Sequence, residues 1–112
     1  MKSRFTFKKD KFKSSRGGYS RLLNIHCYKC SYLVLVYRKD GPGNLRRLYF
    51  DRIFSPDKLV NLQKQNIKAI PPLKCSECGH IMGMPYIYEK EKRKAFRIFQ
   101  DALIKKIRKI TT

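Results

Sequence analysis

A chain of 112 residues with 27 Lys and Arg against 8 Asp and Glu has a formal net charge of +19, which excludes a large multi-domain enzyme and allows one small domain with appendages. At 42% hydrophobic and 12% aromatic, it holds too much apolar material for a wholly disordered polycation. So much like charge on so short a chain limits the core, and a staple or a polyanionic partner is expected to supply part of the stability.

Residues 1–22 read as a basic, flexible N-terminal extension. Lys8, Lys9, Lys11, Lys13, Arg16 and Arg21 are interleaved with Phe5, Phe7, Phe12 and Tyr19, and Ser14, Ser15, Gly17 and Gly18 interrupt any helical period. Such a segment orders on a polyanion, its aromatic rings either stacking on bases or covering the domain edge. The N-terminus has no apolar region of signal-peptide length, so a cytoplasmic protein is expected. The charge is spread along the whole chain rather than held on one amphipathic helix, which argues against a membrane partner.

The cysteines fall in two pairs, Cys27-x-x-Cys30 and Cys75-x-x-Cys78, with none outside them. Each pair can offer two thiolates to one tetrahedral ion, and two pairs complete the four-sulfur shell of a structural zinc site, with Zn–S near ~2.3 Å. The expected cofactor is one structural Zn2+. Gly79 directly follows the second pair, where positive φ turns backbone amides toward the sulfurs; Ser31 holds the equivalent place after the first and suits it less well. Two disulfides would require an oxidising compartment, and a thioredoxin-like redox pair would require a βαβ setting. An iron–sulfur cluster accepts the same four thiolates. With every ligand position filled by protein, no place remains for a metal-bound water. His26 and His80 adjoin the pairs and read as hydrogen-bond donors or phosphate contacts rather than ligands.

Residues 31–38 form a β-branched and aromatic run, residues 39–44 concentrate turn formers, and residues 45–50 read as a second strand. The pattern predicts a β-hairpin rooted at the first pair, with Arg38, Lys39, Arg46, Arg47 and Arg52 on or near it. A short inserted helix is expected near 56–65, with Ser55 as N-cap and Pro56 in the first turn. Pro71 and Pro72 deliver the chain to the second pair, after which residues 84–88 supply a third strand beside the hairpin. Residues 23–88 would thus form one small domain.

Residues 89–112 read as a C-terminal amphipathic basic helix. Phe96, Phe99, Leu103, Ile107 and Ile110 fall at steps of three and four, and Lys92, Arg93, Arg97, Lys105, Lys106, Arg108 and Lys109 lie off that stripe. The expected fold class is small α+β: a three-stranded antiparallel sheet on two CxxC knuckles with a terminal helix.

The two knuckles, with a hairpin at the first and a strand after the second, resemble the zinc ribbons of small ribosomal proteins and transcription factors. The resemblance covers about residues 24–88. It implies that Cys27, Cys30, Cys75 and Cys78 ligate a structural zinc ion and that the hairpin and its basic surroundings contact nucleic acid. Ser31 departs from the usual glycine, and the 44-residue gap between pairs is longer than in compact ribbons. A treble-clef arrangement would start a helix at the second pair, whereas residues 81–88 read as strand.

The expected function is RNA binding within or on the ribosome, through rRNA phosphates, with neighbouring ribosomal proteins as further contacts. Charge distributed along the chain suits folded RNA better than a single groove-reading element. The alternative is a DNA- or polymerase-associated zinc ribbon. No enzyme and no small-molecule substrate is expected, because a P-loop, a GxSxG elbow and a deaminase signature are all missing.

Overall fold

Alternation in the first described segment shows what this chain prefers. Leu23, Ile25 and Cys27 are buried while Asn24 and His26 between them are half-exposed, a period of two that commits residues 20–27 to a strand with one face on a core. The computed structural model describes residues 20–41 and 44–108. Among them, eight strands form two four-stranded antiparallel sheets. The strands are β1 (Ser20–Cys27), β2 (Leu33–Asp40), β3 (Arg47–Tyr49), β4 (Ile53–Ser55), β5 (Leu73–Lys74), β6 (Ile81–Tyr88), β7 (Arg93–Ile98) and β8 (Leu103–Ile107). One sheet runs β4-β2-β1-β8 and the other β3-β7-β6-β5.

The core joins the sheets. Leu23, Ile25, Leu35 and Tyr37 from the first pack with Leu48, Leu73, Met82 and Phe96 from the second, and Phe50 closes on Phe96 with ring centroids 4.7 Å apart. β2 is buried from Val34 to Arg38 on both faces, as an interior strand should be. At Gly83 the backbones approach closely: a Cβ there would lie 2.6 Å from the Arg97 carbonyl oxygen across the β6–β7 ladder.

The three-stranded ribbon with a terminal helix is therefore replaced by an all-β pair of sheets. The hairpin expected between residues 31–38 and 45–50 does not form, because β2 pairs with β1 from Ser20↔Asp40 to His26↔Leu33, and β3 pairs with β7 in the other sheet. The intervening segment crosses between sheets, and a longer partner, β1, outcompetes the short local one. Residues 84–88 belong to β6 and pair with β7, not with such a hairpin.

The C-terminal helix is also overturned. Glu89 to Lys92 make the turn of a β6–β7 hairpin, with the Glu91 amide on the Tyr88 carbonyl, and Lys92 and Asp101 take positive φ of 51° and 57°. Two left-handed residues break any helix through this stretch. The apolar stripe is divided accordingly: Phe96 enters the core, Leu103 packs against it, and Phe99 and Ile107 are exposed. Pairing with β6 and β1 overrides a helix-like spacing, since the strand ladder satisfies backbone groups that a surface helix would satisfy alone.

In place of the inserted helix stand three separate 3-10 turns, Asp57–Leu59, Leu62–Lys64 and Ile67–Ala69. Asn61, at φ 66°, separates the first two, and Ser55 ends β4 opposite Val36 instead of capping a helix. Lys94 ties this segment to β7 by donating to the Gln63 carbonyl at 3.0 Å.

Candidate metal centre and basic clefts

Each cysteine pair sits at the tip of a hairpin, the first between β1 and β2 and the second between β5 and β6. Their backbones repeat one another. The Ser31 amide donates to the Cys27 carbonyl and the Cys27 amide to the Tyr32 carbonyl, both at 2.9 Å; Gly79 and Cys75, with Cys75 and His80, make the same two bonds at the same length. Ser31 has φ 65° and Gly79 has φ 78°, so the serine adopts the left-handed geometry that glycine takes more readily. His26 Nδ1 lies 3.0 Å from the Ser31 carbonyl oxygen and braces this first turn. The Tyr28 amide donates to the Ala102 carbonyl, which docks the turn before β8 onto the knuckle.

The two turns bring all four sulfurs together. Cys27 and Cys78 are 3.6 Å apart, Cys30 and Cys75 are 3.5 Å apart, and every ligand atom lies within 4.8 Å of the others. A tetrahedral shell with metal–sulfur bonds of ~2.3 Å has sulfurs about 3.8 Å apart, whereas a disulfide needs about 2.05 Å. All four are free thiols, one buried and one exposed in each pair. The donor set fits one metal ion.

Their ionisation points the same way. Burial would raise Cys75, but the amides of Cys78 and Glu77 and the neighbouring sulfurs outweigh it and bring this thiol down to about 7. The Tyr32 amide favours the Cys30 thiolate, yet desolvation and the other three sulfurs prevail and push it up to about 12. Four thiols this close cannot all deprotonate against one another; a cation among them removes the conflict.

The basic residues gather elsewhere. Along β1 and β2, the pair Arg21↔Lys39 lies six residues from the cysteine tip, roughly 20 Å at strand rise. Three adjoining clefts surround the crossing segment there. Arg21, Lys39, Lys105 and Lys106 line one; Arg46 and Lys105 line the next; Arg38, Lys39, Arg46, Arg47, Arg52 and Arg93 line the third. Lys92 is exposed in the β6–β7 turn, Arg97 is exposed on β7, and Arg108 donates to Asn24 Oδ1 at 3.1 Å. Lys8, Lys9, Lys11, Lys13, Arg16 and Lys109, with most of the N-terminal extension, lie outside the described residues.

Arg38, Arg52 and Arg93 are buried, and a chain of carboxylates holds them. Asp40 Oδ1 accepts from Ser20 Oγ at 2.6 Å and Arg38 Nε at 2.9 Å, and Asp40 Oδ2 accepts from Arg52 Nε at 3.1 Å. Asp51 bridges Arg52 and Arg93 at 3.3 and 2.8 Å, and Glu91 pairs with Arg93 at 3.0 Å. Burial would raise the Asp40 carboxyl, but the Ser20 hydroxyl and the Arg52 and Arg38 guanidiniums outweigh it and hold it below its ordinary value. Aromatic rings order the cations further. Arg93 lies 3.6 Å from the Tyr49 ring centroid and Arg47 3.8 Å from that of Tyr88, while Arg47 Nε donates to the Tyr86 hydroxyl at 3.0 Å.

Asp40, Tyr49, Tyr86 and Tyr88 were not singled out by sequence. The i, i+2 spacing of Tyr86 and Tyr88 in a strand was the available signal. Compared with protein-family models, curated proteins and solved structures, the chain matches none.

Proposed function

We propose that this chain is an RNA-binding protein of the ribosome or its associated factors, stapled by one structural zinc ion at Cys27, Cys30, Cys75 and Cys78. It works in the cytoplasm as a binding module and not as an enzyme. The observation that supports this reading is the gathering of nine predicted contact residues, Arg21 to Lys106 in sequence, around three adjoining clefts far from the cysteines. Phosphates are the partners such a surface attracts, and a duplex-reading helix is not among the described elements. A closed four-thiolate shell suits zinc, which prefers tetrahedral sulfur and performs no redox chemistry there.

Binding should weaken steeply with salt. Neutralising about eight phosphates gives a slope of log K against log salt of roughly −6 to −7, between the single- and double-strand limits. A slope near zero rejects nucleic-acid binding. Retention on ribosomal subunits through a high-salt gradient is the expected result for the ribosomal assignment, and loss to polymerase-containing fractions would favour the DNA-associated alternative. Elemental analysis should find one zinc per chain; iron would reject that part of the reading.

A further inference from the structure

The two sheets leave a gap at the cysteine end of β2. β4 stops at Ser55, opposite Val36, so among the described residues no strand flanks residues 33–35 on that side, and the chain departs through Pro56 into a 3-10 turn. Across the gap is β5, Leu73–Lys74, the edge of the second sheet. The cleft enclosed between them has a volume of about 500 Å3, and Tyr32 and Ser76 in its lining set it beside both cysteine turns. Sites that enclose small organic molecules occupy about 300–1,000 Å3, so one such molecule has room here.

Its wall is apolar and its rim is cationic. Leu35, Leu62, Ile70, Leu73 and Phe96, all buried, belong to the wall, whereas Lys58, Lys74 and Ser76 are exposed at the rim. No carboxylate lines the cleft. Asp57 and Glu77, the acids adjoining Lys58 and Ser76 in sequence, stay outside the lining, and neither lysine has an ion pair or hydrogen bond among the described residues. The apolar wall disfavours a nucleotide or any other multiply charged group, because each buried charge would lose its water without a partner. The two unpaired ammonium groups favour a single anionic head that stays at the water boundary. Separate leucine and isoleucine side chains offer a flexible alkyl chain more contact than they offer a flat ring.

We infer that this cleft is a binding site for a free medium-chain fatty acid, its alkyl chain against Leu35, Leu62, Ile70 and Leu73 and its carboxylate at Lys58 and Lys74. Removing the chain from water drives binding, and the lysines set the orientation by holding the head at the rim. The site lies at the opposite end of β2 from Arg38 and Asp40 and does not depend on RNA binding.

The test is titration calorimetry on the full, metal-loaded chain without RNA, using octanoate, decanoate and decylamine, each kept below its micelle concentration. Decanoate should bind about tenfold more tightly than octanoate, because two further methylenes leave water, and decylamine should bind about tenfold more weakly than decanoate. Lys58→Glu combined with Lys74→Glu should weaken decanoate by about tenfold or more. Lys64→Glu with Lys68→Glu makes the same change in net charge at exposed positions outside the cleft and should leave decanoate affinity unchanged. Leu33→Trp, which enlarges an exposed side chain of the wall, should also weaken decanoate; unchanged melting curves confirm that the variants fold. Equal affinity for octanoate and decanoate, or equal loss in the two charge-reversed pairs, overturns the site, since the acid is then only a counter-ion to a net charge of +19. Failure to bind decanoate, with capture on phosphatidylglycerol vesicles that Leu33→Trp abolishes, makes the cleft a membrane contact and overturns the free-acid assignment.

Discussion

The cysteine end and the arginine end of the β1–β2 hairpin solve opposite electrostatic problems. At one, four sulfurs lie within 4.8 Å and need a cation before they can all be thiolates; at the other, guanidiniums converge on carboxylates. The cysteine end is a closed shell made of two repeated backbone turns, and nothing beyond one ion is required to complete it. The arginine end draws on β1, β2, β3, β7 and the Phe50–Arg52 turn, engages Asp40 and Asp51 through its guanidiniums, and lines a cleft. The cysteine centre is completed by one ion, while the arginine network takes its carboxylates and rings from several strands.

The largest expected effect breaks the cysteine end. Chelation of the metal, or Cys75→Ser, should abolish the cooperative melting transition, because a structural metal ion in a four-thiolate site contributes on the order of 10 kcal/mol and is linked to folding. The loss should spread to the arginine end, since both knuckle hairpins contribute Leu23, Ile25, Leu35, Leu73 and Met82 to the shared core. Circular dichroism melts of loaded and stripped protein provide the measurement; identical curves would mean that the sheets stand without the staple.

Next in size is the removal of Asp40. Asp40→Asn leaves Arg38 and Arg52, both buried, without their shared counter-charge, and breaking a buried pair in this way costs about 3–5 kcal/mol. The wild-type contribution also has a pH signature. The folded carboxyl titrates below its unfolded value near ~3.9, so its stabilisation is complete above that value and is lost as pH falls through the lower, folded one. Urea unfolding between neutral and acid pH should show an acid decline that is smaller in Asp40→Asn. An equal decline in both proteins would assign the acid sensitivity to other carboxylates.

These two ends also differ in how well sequence reveals them. The cysteine centre depends on local spacing, and Cys27-x-x-Cys30 with Cys75-x-x-Cys78 announces it without knowledge of the sheets. The arginine end depends on which strands pair. Residues 39–44 look like a solvated turn, yet Asp40 is at the centre of a buried network because β1 brings Ser20 beside it and the Phe50–Arg52 turn brings Arg52. The C-terminal stripe misleads for the same reason: Phe96, Phe99, Leu103 and Ile107 satisfy a helical spacing, but Lys92 and Asp101 at positive φ, and the ladders to β6 and β1, decide the outcome. Non-local pairing is invisible to a window of neighbouring residues.

A smaller effect tests the frame that holds both ends. Gly83→Ala places a methyl group 2.6 Å from the Arg97 carbonyl, a backbone atom of a paired strand that cannot swing away. Overpacking of this kind costs about 1–3 kcal/mol. The β6–β7 ladder carries Tyr86, Tyr88 and Arg93, so the RNA affinity proposed above should fall along with stability, while the metal stoichiometry stays at one. A stable variant would show that the ladder can open locally at Gly83.

The smallest effect lies within the cysteine end and separates its two turns. Ser31 and Gly79 make the same hydrogen bond to the first cysteine of their pairs at φ 65° and 78°. A side chain in that left-handed region costs about 1–2 kcal/mol, and glycine gives back about 0.5–1 of the relief through its freer unfolded chain. Ser31→Gly should therefore raise stability by up to about 1 kcal/mol, and Gly79→Ser should lower it by a similar amount, with the double exchange near wild type. Their metal affinities, read by competition with a coloured chelator, should follow the same order because the knuckle forms only in the folded chain. If Ser31→Gly destabilises instead, the serine contributes an interaction that outweighs its backbone strain, and the two turns are alike in geometry but not in energy.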